Sequence, residues 1–194
     1  MSHVERMQRK KKVIDLAIAN ANIKRGVLIV LTGNGKGKSS SAFGMVGRSL
    51  GKDMKVGVVQ FIKSRTDTGE EEFYGNHPNC KWRQHGDGFT WDTQDKSRDI
   101  ETAKRGWMEA KTMLTDPSYN LVVLDELTYL LSYKYLDTTE VLNTLQNRPV
   151  NQHCVVTGRA AIQQLIDLAD TVSEIKDVKH AYRLGIEAQP GIDF

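Results

Sequence analysis

Short apolar runs recur along the chain, separated by segments in which apolar positions fall every three or four residues. Residues 27–31 (Val-Leu-Ile-Val-Leu), 55–61 (KVGVVQF), 121–124 (Leu-Val-Val-Leu) and 153–157 are such runs, and each stops at a polar or glycine-containing boundary. Absence of alternation marks strands covered on both faces, as in a parallel sheet. Residues 80–85 predict a further strand and residues 171–175 a last core strand. Helical spacing is predicted over residues 8–24, 40–50, 96–114, 127–135, 138–146 and 160–168. In the 96–114 segment Ile100, Ala103, Trp107, Ala110 and Leu114 recur near the helical period, and Asp116-Pro117 closes it. Between residues 61 and 80 the chain reads as a polar loop with Gly69 and Gly75. Strands and helices alternating almost throughout predict an α/β fold of three layers, a mostly parallel sheet with helices on both faces.

With 194 residues, 39 % of them hydrophobic, and 16 glycines, the chain suits one globular unit with a substantial core. The net charge of +3 is unevenly spread. Residues 1–12 carry Arg6, Arg9, Lys10, Lys11 and Lys12 against Glu5, a local +4, so the rest of the chain is −1. We therefore divide the sequence into a basic helical segment over residues 1–25 and a body over residues 26–194. A basic tail on a neutral body lacks the broad basic face with interleaved aromatics that nucleic-acid binding requires, and no nucleic acid is expected as a partner. No run approaches the roughly 18 apolar residues of a membrane span, so no membrane partner is expected. The tail and the stretch 13–19 after it mimic a secretory signal, but Asp15 interrupts so short an apolar core. Cys80 and Cys154 are far apart and form no CxxC, which fits a reducing cytoplasm. The five histidines show no metal-ligand spacing, and no hydrolase triad is arguable.

The densest chemistry lies at Thr32-Gly33-Asn34-Gly35-Lys36-Gly37-Lys38-Ser39-Ser40, between an apolar strand and a helix. A glycine-rich turn feeding a helix N-terminus aims backbone N–H groups at one point, where the helix dipole also favours anions. Gly33, Gly35 and Gly37 allow positive φ and close backbone approach, Lys38 reaches phosphate oxygens, and the Ser39 hydroxyl suits magnesium. The pattern departs from GxxxxGK[ST], since Thr32 stands where its first glycine would be, and the loop is one residue shorter. A second element, Leu121-Val122-Val123-Leu124-Asp125-Glu126, delivers adjacent carboxylates from the end of a buried strand, in the manner of a Walker B segment. Asp125 suits magnesium, directly or through water, and Glu126 suits metal, ribose or a catalytic water; the alternative is a pair that caps the following helix.

Arg159, in Thr157-Gly158-Arg159, ends another apolar strand and projects toward the same rim, and Arg48 rides on the first helix of the body. Either guanidinium suits phosphate, and either equally suits a surface ion pair. Gly86-Asp87-Gly88-Phe89-Thr90-Trp91-Asp92-Thr93 sets Phe89 and Trp91 two residues apart in a glycine-flanked loop, where they either offer a flat apolar face to a ligand or plug the core. The residues so far leave open a phosphoryl-transferring P-loop kinase or ATPase and a non-catalytic ATP-gated binding module.

Taken together, GNGKGK at residues 33–38, VGVVQFIK at 56–63, GFTWDTQ at 88–94, LDELTY at 124–129, TGR at 157–159 and the closing VKHAYRLGIEAQPGIDF resemble the ATP:corrinoid adenosyltransferases, a P-loop, RecA-like family. The resemblance runs from about residue 26 to the C-terminus, and the short loop is a feature the family shares. It implies a P-loop NTPase-like fold and transfer of the 5′-deoxyadenosyl group of ATP to cobalt(I) of a reduced corrinoid, with triphosphate leaving. ATP is then held by Gly33, Asn34, Gly35, Lys36, Gly37, Lys38, Ser39, Ser40, Arg48 and Arg159. Magnesium falls to Ser39, Asp125 and Glu126, and catalysis to Lys38 and Glu126. Phe89 and Trp91 pack beneath the corrin and exclude its lower axial ligand, which eases reduction of cobalt(II) by a flavoprotein such as flavodoxin. The resemblance further implies a homodimer, with the N-terminal segment as a mobile cap over the site.

If Phe89 and Trp91 face a corrin rather than the core, Trp91→Ala keeps a near-native melting temperature. It then loses far more transfer from cobalt(II) plus flavoprotein than from cobalt(I) made chemically beforehand. Equal losses in a stable variant would refute ligand exclusion, and a loss of several kcal/mol in stability would make the residues core.

Overall fold

The computed structural model describes residues 2–62, 68–85 and 95–194. The strands are β1 (Leu28–Thr32), β2 (Val56–Gln60), β3 (Cys80–Gln84), β4 (Leu121–Asp125), β5 (His153–Thr157) and β6 (Thr171–Glu174). They form one sheet in the order β3-β2-β4-β5-β1-β6, and all its pairings are parallel. The helices are α1 (His3–Asn20), α2 (Lys38–Leu50), α3 (Gly69–Gly75), α4 (Lys96–Thr115), α5 (Leu127–Ser132), α6 (Thr138–Gln146) and α7 (Gln163–Leu168), with a 3₁₀ turn at Ala181–Leu184.

The strands without alternation form the middle of the sheet because each needs an apolar layer on both sides. Val122, Leu124, Val156 and Val59 face α4, α5, α6 and α7 in one cluster, built on Trp107, Met113, Leu127 and Leu145. Leu121, Val123, Val155, Val56 and Val58 face the opposite way, onto Phe43, Val46 and Leu50 of α2. The three layers expected from the alternation are thus present. With the strands parallel, every β-to-α turn opens at the same end of the sheet, which is where ligands bind in such folds.

Several elements differ from the sequence reading. Helix α1 starts at a capping box, in which Ser2 Oγ accepts from Glu5 N at 3.2 Å and Glu5 accepts from Ser2 N at 2.7 Å, so it begins before residue 8. Helix α3 occupies part of the expected polar loop, where three successive glutamates, Glu70 to Glu72, complement the N-terminal dipole of a helix too short to show periodicity. The segment expected as helix over 160–168 is helical only from Gln163, because Ala160 takes a positive φ of 49°. Strand β6 is not a core strand: it pairs with β1 alone and all four residues are exposed. Its single Val172 between Thr171 and Ser173 could not have filled a two-sided strand position.

The start of β1 is pinned by Asp170, the residue before β6. Its carboxylate accepts from Leu28 N at 2.8 Å and from Arg25 Nη1 at 2.8 Å, and forms a second contact with Arg25 Nη2. These bonds, the Arg25 one foremost, hold the Asp170 carboxyl down at about 2. Because the folded value lies below the unfolded one, this contribution is complete above about pH 4 and is lost as pH falls toward 2. Asp170→Asn should lower the melting temperature by a few degrees at pH 7, a difference that shrinks on acidification through that window; a pH-independent difference would remove the charge from the explanation.

Candidate active site

At the end of β1 the chain turns through Gly33 (φ +99°) and Gly37 (φ +116°) into α2. The glycines of this turn serve different purposes. A Cβ on Gly33 or Gly35 would come within 2.5 Å and 2.6 Å of the carbonyl oxygens of Ile175 and Lys176, so these two glycines let the turn press against the chain leaving β6. Gly35 N donates to Ile175 O at 2.7 Å, which commits that amide to the fold rather than to a ligand. Gly37 has open space beside it and needs glycine for its φ alone. The amides of Lys38, Ser39 and Ser40 open α2 and have no carbonyl one turn earlier to bond, so they present donors outward.

Lys38 Nζ donates to Gly35 O at 2.6 Å. Its pKa is lowered, first by desolvation and then by Arg159, while Glu126 and Asp125 oppose the shift. A half-buried ammonium flanked by a guanidinium and two carboxylates favours a further anion at the same point.

Asp125 is fully buried at the end of β4. Thr157 Oγ donates to its Oδ1 at 2.7 Å, and Gln60 Nε2 donates to its Oδ2 at 3.0 Å, so both oxygens stay turned to donors from neighbouring strands. The same Thr157 hydroxyl accepts from Glu126 N at 2.9 Å. Glu126 itself sits at φ +68°, a conformation that costs a non-glycine residue roughly 1 kcal/mol and turns the chain sharply from β4 into α5. On the neighbouring strand end, Gly158 (φ +135°) and Ala160 (φ +49°) flank Arg159. Thr128 Oγ donates to Arg159 O at 2.6 Å, and Ala161 N donates to Thr32 Oγ at 3.3 Å, which fixes this turn to both α5 and β1.

These segments enclose a cleft of about 380 Å³. Asn34, Gly35, Lys36, Gly37, Lys38, Ser39 and Ser40 line it from the β1 turn, and Glu126 and Arg159 face them. Arg48 is not brought there: it lies exposed in the last turn of α2, ten residues and therefore about 15 Å along the helix from Lys38. Phe89 and Trp91 lie outside the described residues. The cleft also takes Thr68, Tyr129, His180, Ile192 and Asp193, none of which the sequence reading singled out. The last two arrive with the C-terminal segment, which folds back so that Asp193 pairs with Lys36 at 2.5 Å. The GIDF closing motif was the available signal, but nothing in its spacing says that it returns to the β1 turn.

The oxygens here suit a hard cation. Ser39 offers a hydroxyl and Glu126 a carboxylate to the cleft, with the Asp125 carboxylate buried behind them, while among the described residues no cluster of three or more His, Cys, Asp or Glu could hold a metal unaided. That donor set fits magnesium shared with a phosphate ligand rather than an all-protein cage.

The family model of ATP:corrinoid adenosyltransferase BtuR/CobO/CobP matches residues 24–194. The chain belongs to that family. It is 55 % identical over 193 residues to a corrinoid adenosyltransferase of Pseudomonas aeruginosa, covering 99 % of this chain and 95 % of the relative. Identity to the corrinoid adenosyltransferase of Escherichia coli K12 is 45 % over 190 residues, 98 % of this chain and 96 % of the relative. With corrinoid adenosyltransferase CobA of Salmonella typhimurium it is 44 % over the same lengths and shares. Membership makes the chain a transferase, of a family that adenosylates corrinoids with ATP. The ATP:corrinoid adenosyltransferase match begins just before β1, so α1 stands outside it.

The Arg159 turn depends on glycine at 158, because a Cβ there would lie 2.1 Å from Thr128 Oγ at a φ already unfavourable for alanine. Gly158→Ala should lose roughly 2–3 kcal/mol by chemical denaturation; a change under about 0.5 kcal/mol would show that the turn relaxes freely.

Proposed function

We propose that the protein transfers the 5′-deoxyadenosyl group of ATP to cobalt(I) of a reduced corrinoid and releases triphosphate. The observation that carries this reading is the cleft at the β1 turn, where Lys38, the opening residues of α2 and Arg159 converge opposite Glu126. In the transfer, the cobalt(I) electron pair forms the bond to the 5′ carbon as the carbon–oxygen bond breaks, and that bond's electrons leave with the triphosphate. The negative charge of the leaving group then develops at the β1 turn. Lys38 and Arg159 stabilise it, with the amides of residues 38–40 as preorganised donors. Asn34, Lys36, Gly37 and Ser40 complete the phosphate cradle, while Gly33 and Gly35 shape it; Arg48 is left out because of its distance. Ser39 and Asp125 hold magnesium, which neutralises phosphate charge when bound, and Glu126 orients the ribose or the metal's water.

We assign Phe89 and Trp91 to the corrin face, where they exclude the lower axial ligand. A flavoprotein such as flavodoxin supplies the electron that makes cobalt(I). The working unit is a homodimer in the cytoplasm; no described helix is long and apolar enough to cross a membrane. Residues 1–25 form a cap over the site. Support comes from α1, none of whose residues is buried and whose exposed Val4, Met7, Ile14 and Ile18 fall on one face.

The test combines ATP, magnesium and chemically reduced cobalamin with the wild type and two arginine variants. The wild type should yield adenosylated corrinoid by its absorption spectrum. Arg159→Ala should weaken ATP binding tenfold or more, by about the worth of one charge-assisted contact, while Arg48→Ala stays within about twofold. No adenosylated product from the wild type would overturn the function, and equal effects of the two arginines would overturn the arrangement of the phosphate site.

A further inference from the structure

Gln60 is 1 % exposed at the end of β2, in a strand whose other residues are Val56, Gly57, Val58 and Val59. An apolar residue would suit that two-sided position, and burying a primary amide there is unfavourable unless all its polar atoms are bonded. Both ends are bonded. Gln60 Oε1 accepts from Trp82 Nε1 at 3.0 Å, and Gln60 Nε2 donates to Asp125 Oδ2 at 3.0 Å. The orientation of the amide is dictated by its partners, because an indole N–H only donates and an ionised carboxylate only accepts. No other neutral side chain of this length accepts at one end and donates at the other.

The chain of bonds continues across the sheet: Trp82 on β3, Gln60 on β2, Asp125 on β4, Thr157 on β5, then back to the amide of Glu126. Four adjacent strands are crossed by buried polar contacts at the end where the cleft lies. Trp82 is anchored at its far side, with its ring against Phe43 of α2 at a centroid distance of 5.0 Å. The indole is thus held on both sides, by Phe43 and by Gln60.

We propose that Gln60 and Trp82 are positioning residues for magnesium-dependent ATP binding: Gln60 holds the Asp125 carboxylate in its orientation, and Trp82 holds Gln60. This rests on the reading of Asp125 as a residue that serves the magnesium of bound ATP. Neither residue faces the cleft, and both act through Asp125.

The test titrates a fluorescent ATP analogue into wild type, Asp125→Asn, Gln60→Met, Trp82→Phe and the double variant over a range of magnesium concentrations, with melting temperatures recorded without ligand. Gln60→Met keeps nearly the same volume and removes both bonds; Trp82→Phe removes the indole donor and keeps an aromatic ring beside Phe43. Gln60→Met should raise the magnesium concentration for half-maximal binding at least about tenfold, the usual cost of losing a partner that orients a ligand side chain. Trp82→Phe should shift it less, in the same direction, and the double variant should be no worse than Gln60→Met, since Trp82 acts only through Gln60. A lowered melting temperature with an unchanged magnesium requirement overturns the positioning role, and so do additive shifts. If Gln60→Met does not fold, Trp82→Phe decides alone by the same criterion. If Asp125→Asn itself leaves the magnesium requirement unchanged, the reading of Asp125 falls, and the positioning role with it.

Discussion

A carboxylate removed entirely from solvent at the end of the central strand is the constraint on which the site depends. Buried charge is tolerated only when donors surround it and a cation lies near. Asp125 has the donors from Thr157 and Gln60, and it acts electrostatically on Lys38 of the β1 turn. Meeting these demands fixes three strand ends relative to one another. It also explains why β2, otherwise apolar, and the apolar 154–156 stretch of β5 finish on Gln60 and Thr157.

Around this point the backbone departs from ordinary conformations. Glu126 and Ala160 take positive φ without being glycine, and Gly33, Gly37 and Gly158 take it where glycine permits it. Such geometry persists only where the surroundings over-determine it. Here the surroundings are specific: Ile175 against the β1 turn, Thr128 against the Arg159 turn, and Thr157 beneath the Glu126 amide. Loops positioned by a rigid sheet in this way hold cations at fixed separations, as the proposed stabilisation of a departing polyanion requires.

Much of this was legible in the sequence because the strands are buried on both faces and so read as continuous apolar runs. The strand-turn-helix at residues 28–50 and the strand ending in Asp125-Glu126 were legible for the same reason. Less was visible where the cause is long-range. Helix α3 spans two turns and shows no period, β6 is an edge strand held by one neighbour, and Gly35 owes its place to Ile175 across the sheet edge. The participation of His180 and Asp193 in the cleft follows from a chain reversal that spacing cannot encode. Arg48 carried the right charge on the right helix, but helical rise sets it too far from Lys38.

In the proposed reaction the β1 turn receives a leaving group and does not present a phosphoryl group to a nucleophile. Phosphorus-31 spectroscopy of a single-turnover mixture of protein, magnesium, ATP and cobalt(I) corrinoid distinguishes these directly. One free triphosphate is expected for each corrinoid adenosylated, with no ADP formed. ADP and inorganic phosphate as the first products, appearing whether or not corrinoid is present, would contradict it.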